Sequence, residues 1–286
     1  MRKLLPLLLL LGAPLVLVAQ QHPLTTEEVI TPRPGQAIVT LGFELLQDVR
    51  FPLSGLEGDL TRAGVVDVHF GVSRAAEIQI QGTIRNFLSV NSQQAALISP
   101  RLDRGGTSTS NVGDFTLAAK VRLLPETESR PAIGIRFGFE MPNSDEARGI
   151  GLNTTNVFFT LLGQRHYGKL NLFGNLGIGI LQAPAGLFSQ NDVILYGLGA
   201  LYPVHERINL VGEIAGRQST RSTPSTGPLA GTGSRSQARL GFQVFAGGLR
   251  WNFAGIAGLT KNDADTGFTF GVTREIQLFP SLQTGR

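Results

Sequence analysis

The sequence predicts an all-β protein: a transmembrane, up-and-down antiparallel β-barrel of about twelve strands behind a cleaved signal peptide. Three observations lead there. Apolar residues alternate with small or polar ones almost from end to end, the alternating segments are long, and the links between them alternate between long and short. Residues 131–142, PAIGIRFGFEMP, show the pattern in miniature. Ile133, Ile135, Phe137 and Phe139 take every second place, with Gly134, Arg136, Gly138 and Glu140 between them. Successive strand side chains point to opposite faces, so one face is apolar and the other small and charged.

The same alternation places strands at 37–45, 65–73, 75–84, 113–124, 131–141, 154–163, 168–181, 192–203, 206–217, 236–246, 248–259 and 266–279. Most run 9–14 residues. Strands of soluble proteins average about 5–6 residues, whereas strands that cross a bilayer need about 9–11. Short links follow the even-numbered strands, and longer ones (46–64, 85–112, 142–153, 218–235) follow odd-numbered strands. A barrel with short periplasmic turns and longer outer loops gives this rhythm, and an even strand count returns both ends to one side. Phe158, Val211 and Arg274 interrupt the alternation and are expected at bulges.

The polar face separates a membrane barrel from a soluble one. Lysine, common on water-facing strands, occurs after the leader only at positions 120, 169 and 261. Gln79, Gln81, Thr83, Asn171, Asn209, Gln243, Asn252 and many glycines stand there instead. Amides and small side chains suit a crowded lumen, and the apolar face then meets lipid. Closure satisfies the backbone groups that an open sheet edge would strand in hydrocarbon. Tyr167, Tyr202, Trp251 and Phe253 lie toward the periplasmic strand ends, giving half of an aromatic girdle.

Residues 1–19 read as a signal peptide, with Arg2 and Lys3 before an apolar run from Leu4 to Val18 and a small residue, Ala19, at the cut. That run is too short and too broken by Pro6, Gly12 and Pro14 to span a bilayer as a helix. Without the leader, 23 basic and 21 acidic residues remain, so the charge gives no case for nucleic acid. The absence of cysteine excludes disulfides and thiolate metal sites. The remaining divisions are a periplasmic lead-in at 20–36, the barrel at 37–279 and a tail at 280–286. A short plug folded into the lumen is the alternative reading of 20–36. Loop 85–112 is open to a short helix or an inward constriction, and Ser/Thr/Gly-rich 218–237 reads as an outer loop.

From TSTSNVGDFTLAAKVRLL (107–124) onward the chain resembles the family of outer-membrane proteins named for the MetA pathway of phenol degradation. AIGIRFGFEMPNS, GIGLNTTNVFFTLL, LNLFGNLGIGI and LYPVHERINLVGEIAG follow in order, and the likeness covers about residues 60–279. EMPNS departs from the Leu-Pro-Thr/Ser-Gly more usual after that strand. The resemblance implies a barrel and passage of small hydrophobic or aromatic molecules. It implies no catalytic residues.

Little else in the sequence points to catalysis. His22, His69, His166 and His205 show no metal-ligand spacing, and only His69 lies within a strand, so an outer-membrane hydrolase is a distant third reading. No cofactor or metal site is expected. Lys120, Arg122, Arg136, Glu140, Glu213, Arg217, Arg239 and Arg250 are expected to face the lumen, while Ile133, Ile135, Phe137 and Phe139 face lipid. The lumen charges either neutralise one another or leave Lys120, Arg122 and Arg136 as a stripe that attracts anions. The expected role is passive passage of a small solute through the outer membrane of a Gram-negative-type bacterium. The alternative is a non-conducting structural or surface-interaction barrel. Expected partners are outer-membrane lipid, the solute and the barrel-assembly machinery.

Overall fold

A computed structural model of the chain describes residues 24–183, 189–221 and 231–279. The residues expected as leader and C-terminal tail lie outside these. The described chain forms β1 (Gln36–Phe51), β2 (Leu56–Gly71), β3 (Ala76–Gln93), β4 (Ser108–Asn111), β5 (Phe115–Leu124), β6 (Ala132–Met141) and β7 (Asn156–Tyr167). It continues with β8 (Leu170–Gln182), β9 (Gln190–His205), β10 (Ile208–Ser219), β11 (Arg235–Ala246), β12 (Leu249–Gly258) and β13 (Thr266–Gln277). Each strand pairs antiparallel with its neighbour, and β1 pairs with β13, so the sheet closes on itself. Because β4 and β5 pair in succession with β3, they form one wall strand broken at 112–114, and the barrel has twelve staves.

The strands outrun their apolar alternation at one rim. The stretch 46–64, read as a loop, is instead a hairpin, because β1 and β2 stay paired as far as Phe51 and Leu56. Likewise, the front of loop 85–112 is strand up to Gln93, with no helix, because Leu88 and Val90 keep feeding an inner cluster. Short links join β2 to β3, β5 to β6, β7 to β8, β9 to β10 and β11 to β12, all at the other rim, beside the start of β1 and the end of β13. Two bulges in the β1–β2 ladder reset which residues face in. Gly64, at φ +67°, is the extra residue opposite the step from Gly42 to Phe43, and it swaps the inward set of β2 from Asp67 and His69 to Leu60 and Arg62. The second surrounds Asp48, also at positive φ.

Phe158, Val211 and Arg274 are not at bulges, contrary to expectation: their ladders run in register. Val211 faces inward because it meets an apolar group in the lumen, as described below.

Outside, large apolar side chains stay exposed on stave after stave, among them Leu41, Ile80, Phe137, Leu161, Ile178, Leu198, Ile214 and Leu240. For a water-facing surface this would be an aggregation hazard, but for a bilayer it is the required band. Four rings, Phe43, Phe270, Phe253 and Phe242, form a row across β1, β13, β12 and β11, with centroid separations of 5.4, 5.1 and 5.0 Å. They are cross-strand partners, so the row ties the first strand to the last ones at the closing seam.

On β6, Ile133, Ile135, Phe137 and Phe139 share the outer face, and Phe137 is 52% exposed. Phe137→Arg is therefore expected to cost about 2–4 kcal/mol in denaturant titrations of lipid-embedded protein. A change near zero would place this face in water.

Candidate functional site

Part of the lumen is occupied by a segment that precedes the first strand. Residues 24–31 run inside the wall, and Thr26, Glu27, Glu28 and Val29 are all at most 5% exposed. For residues 24–31 this replaces the reading as a loose periplasmic lead-in with its alternative, a short plug folded into the lumen. The physical reason is that the segment's polar groups find partners on the wall, the buried Thr26 Oγ1 excepted. Backbone N–H groups of Thr25 and Thr26 donate to the two carboxylate oxygens of Glu213 (2.8 and 2.7 Å), and Val29 N donates to Gln164 Oε1 (2.8 Å). Asn171 Nδ2 donates to Glu28 Oε1 at 2.6 Å. Leu24 packs among Phe173, Leu201 and Val211, and Val29 against Ala132 and Leu162.

Wall glycines make the room. A Cβ on Gly197 would lie 2.7 Å from Thr26 Oγ1, and one on Gly71 would lie 2.2 Å from the carbonyl oxygen of Arg33.

Glu27 sits at the centre of a charge cluster. Lys120, wholly buried, places Nζ 3.1 Å from Glu77 Oε1 and 3.4 Å from Glu27 Oε2, and donates to the carbonyl of Glu28 at 2.9 Å. Arg136 Nε lies 3.4 Å from Glu27 Oε1 and donates to Gln79 Oε1 at 2.6 Å, while its Nη2 donates to Gln81 Oε1 at 2.7 Å. His69 has Nδ1 2.7 Å from Glu77 Oε1 and Nε2 2.8 Å from Asp67 Oδ1. Glu27, His69 and Glu77 offer three potential ligand atoms within 4.8 Å of one another. The set does not suit a metal, because an ammonium already sits against Glu77 and both imidazole nitrogens face carboxylates. The same engagement leaves His69 no serine to activate.

A second cluster lies across the lumen. Glu44 pairs with Arg62 (2.8 Å) and Arg239 (3.1 Å), and Arg239 Nε lies 3.7 Å from Glu213, which holds the plug. Arg250 is 5% exposed, and its Nε has no hydrogen-bond partner. Arg122 stands apart from Lys120 and Arg136: at the short-turn rim its Nη2 donates to the carbonyl of Arg74 at 2.5 Å. The three residues therefore do not form one stripe.

Arg62, Arg235 and Glu27 are among the lumen residues that sequence reasoning missed. Arg62 was hidden behind the Gly64 bulge, Arg235 stood at the last position assigned to a loop, and Glu27 lay in a segment with no strand pattern. The signal for Glu27 was indirect, in the inward glycines.

Between the plug and the long-loop rim lie two adjoining cavities. The inner one, about 360 Å³, is bounded below by Thr25, Thr26 and Glu27 and at its sides by Arg136, Thr160, Asn175, Arg217 and Arg235. The outer one, about 330 Å³, has an apolar wall that includes Leu46, Val49, Phe51, Leu60, Ile150 and Leu181. Arg62 and Glu140 also line it, and both cavities share Arg217, Arg235, Gln237 and Asp263. Part of that wall is a buried apolar cluster of Val49, Leu56, Leu60, Leu88, Ile150 and Ala264.

No protein-family profile and no curated protein matches the chain. Among solved structures, the COG4313 outer membrane channel from Pseudomonas putida F1 is similar with a TM-score of 0.61 and 14% identity, over 86% of this chain and 97% of that one. The NanC porin gives a TM-score of 0.49 and 9% identity over 84% and 100% of the two chains. The translocator domain of the autotransporter NalP from Neisseria meningitidis gives 0.49 and 14% over 85% and 89%. At these identities the likeness is one of fold: a transmembrane β-barrel of the outer-membrane type.

At the short-turn rim, Glu126 accepts from His166 N at 2.8 Å, pairs with His166 Nδ1 at 2.7 Å and lies 3.8 Å from Arg165 Nε. Partial burial pushes the Glu126 carboxyl up, but His166 and Arg165 together outweigh it and hold the group below the usual carboxylate range. A carboxyl depressed in the fold adds stability above its unfolded pKa of about 4.3 and loses it as pH falls through the folded value. The protection factor of the His166 amide is expected to fall over that acid window, and in Glu126→Gln to be low and independent of pH. Equal pH profiles for the two proteins would exclude the clasp.

Proposed function

We propose that the protein is a passive outer-membrane channel for small apolar or aromatic solutes, exported through a signal peptide at 1–19 and folded by the barrel-assembly machinery. The observation that carries this reading is the pair of adjoining cavities above the plug, the outer one walled by Leu46, Val49, Phe51, Leu60 and Ile150. An apolar vestibule lets such a solute leave water before it meets the charged interior. Short turns and both strand ends share one rim, which by the usual polarity is periplasmic, so the vestibule faces outward. Membership of the MetA-pathway family is supported by the motifs along 107–216 and by the fold shared with the P. putida channel.

A non-conducting barrel is the second reading, favoured by the ion-paired plug across the lumen. Purified protein in planar bilayers is expected to give discrete conductance steps, interrupted when phenol is added on the long-loop side. A flat trace from both wild type and a variant lacking residues 20–31 would sink the channel and leave the closed barrel.

A further inference from the structure

We infer that Arg217 and Arg235 form a binding site for the carboxylate of a small organic anion at the junction of the two cavities. Resting on the channel reading, this narrows its solute to amphipathic acids. The two arginines are cross-strand partners in the β10–β11 ladder, and both border both cavities. Like charges placed directly opposite each other repel, and Asp263 and Glu140 offset this only from beyond ion-pair distance. No carboxylate among the described residues lies within 4.0 Å of either guanidinium.

The two carboxylates that border the cavities are partly engaged, though Asp263 Oδ1 has no hydrogen-bond partner. Asp263 Oδ2 accepts from Ser236 N, Thr260 N and Thr260 Oγ1, and Glu140 Oε1 accepts from Asn156 Nδ2 at 2.6 Å. Arg217 is held in place from behind, its Nε and Nη2 donating to the carbonyls of Gly233 (3.0 Å) and Gly231 (2.8 Å), which leaves Nη1 for a ligand. Arg235 makes no side-chain hydrogen bond among the described residues.

Two guanidinium groups with donors to spare match the oxygens of a carboxylate, and an anion between them removes their repulsion. The adjoining apolar wall accepts the rest of the molecule, and a cavity of about 360 Å³ has the size of a small-ligand pocket.

The test is calorimetric titration of the full-length barrel in detergent with benzoate and with benzyl alcohol, which is neutral and of similar size. Benzoate is expected to bind one site, and Arg235→Gln to weaken it about tenfold. Benzyl alcohol is expected to bind more weakly and to respond to neither substitution. Arg217→Gln should act in the same direction, but it also releases the Gly231 and Gly233 carbonyls. Arg235→Gln is therefore the deciding variant, since it breaks no bond in the wall.

Benzoate binding unchanged by Arg235→Gln, or matched by benzyl alcohol, overturns the inference even if the barrel conducts. Arg235-dependent benzoate binding in a barrel with no conductance keeps the site and removes the channel.

Discussion

Lys120→Met is expected to lower the stability of the barrel by about 3–5 kcal/mol, the usual cost of removing one partner from a buried ion pair. The ammonium is fully buried and lies between Glu77, 1% exposed, and Glu27, 5% exposed. Methionine keeps the length of the side chain, so the change isolates charge from packing. What remains is two carboxylates facing each other with His69 and Arg136 as their only cationic neighbours among the described ion pairs. The second variant settles the cause. Lys120→Met with Glu77→Gln removes one charge of each sign and should recover more than half of the loss, a coupling that a packing defect would not show. Denaturant titration in lipid vesicles measures both. A Lys120→Met change within about 0.5 kcal/mol of wild type would mean that lumen water already solvates these carboxylates.

How far the sequence reveals this structure depends on which periodicity a residue obeys. The staves were legible because alternation at period two is a local property that closure only reinforces. Ile133 to Phe139 on the outside, with Arg136 between them, needed no tertiary information. Positions beyond the bilayer band were not legible in that way. There β1, β2 and β3 remain strands, but water or loops replace lipid and the apolar alternation stops. Arg62 shows a second limit: one extra residue, Gly64, inverts the register of everything before it.

The plug shows the third limit. Its residues, Leu24 to Thr31, have no pattern of their own, because their partners pass from stave to stave rather than forming a repeating ladder. The imprint lies on the wall instead. Glycines at 71, 134 and 197 all point inward, and a Cβ at any of them would crowd Arg33, Val29 or Thr26. Val211 belongs to the same imprint, as an apolar residue on a polar face that makes sense only with Leu24 against it.

Deleting residues 20–31 is expected to raise single-channel conductance several-fold and to shift selectivity toward anions. Geometry gives the first effect. Twelve strands about 4.8 Å apart and tilted by about 40° close into a backbone cylinder roughly 24 Å across, of which side chains from opposite walls take about half. The gap left is about the width of one extended chain, and residues 24–31 occupy it. Charge gives the second effect. The deletion removes Glu27 and Glu28, so Lys120 and Arg136 lose their plug partners and present net positive charge to the new pore. Reversal potentials across a salt gradient read the selectivity independently of pore size. Glu27→Gln separates the two effects, since it keeps the chain in the lumen while removing the carboxylate at the centre of the cluster. It should move the reversal potential in the same direction with little gain in conductance. A deletion that leaves conductance unchanged would place the barrier at the apolar vestibule rather than at the plug, because Leu46, Val49 and Ile150 would then be the narrowest surface that an ion has to cross.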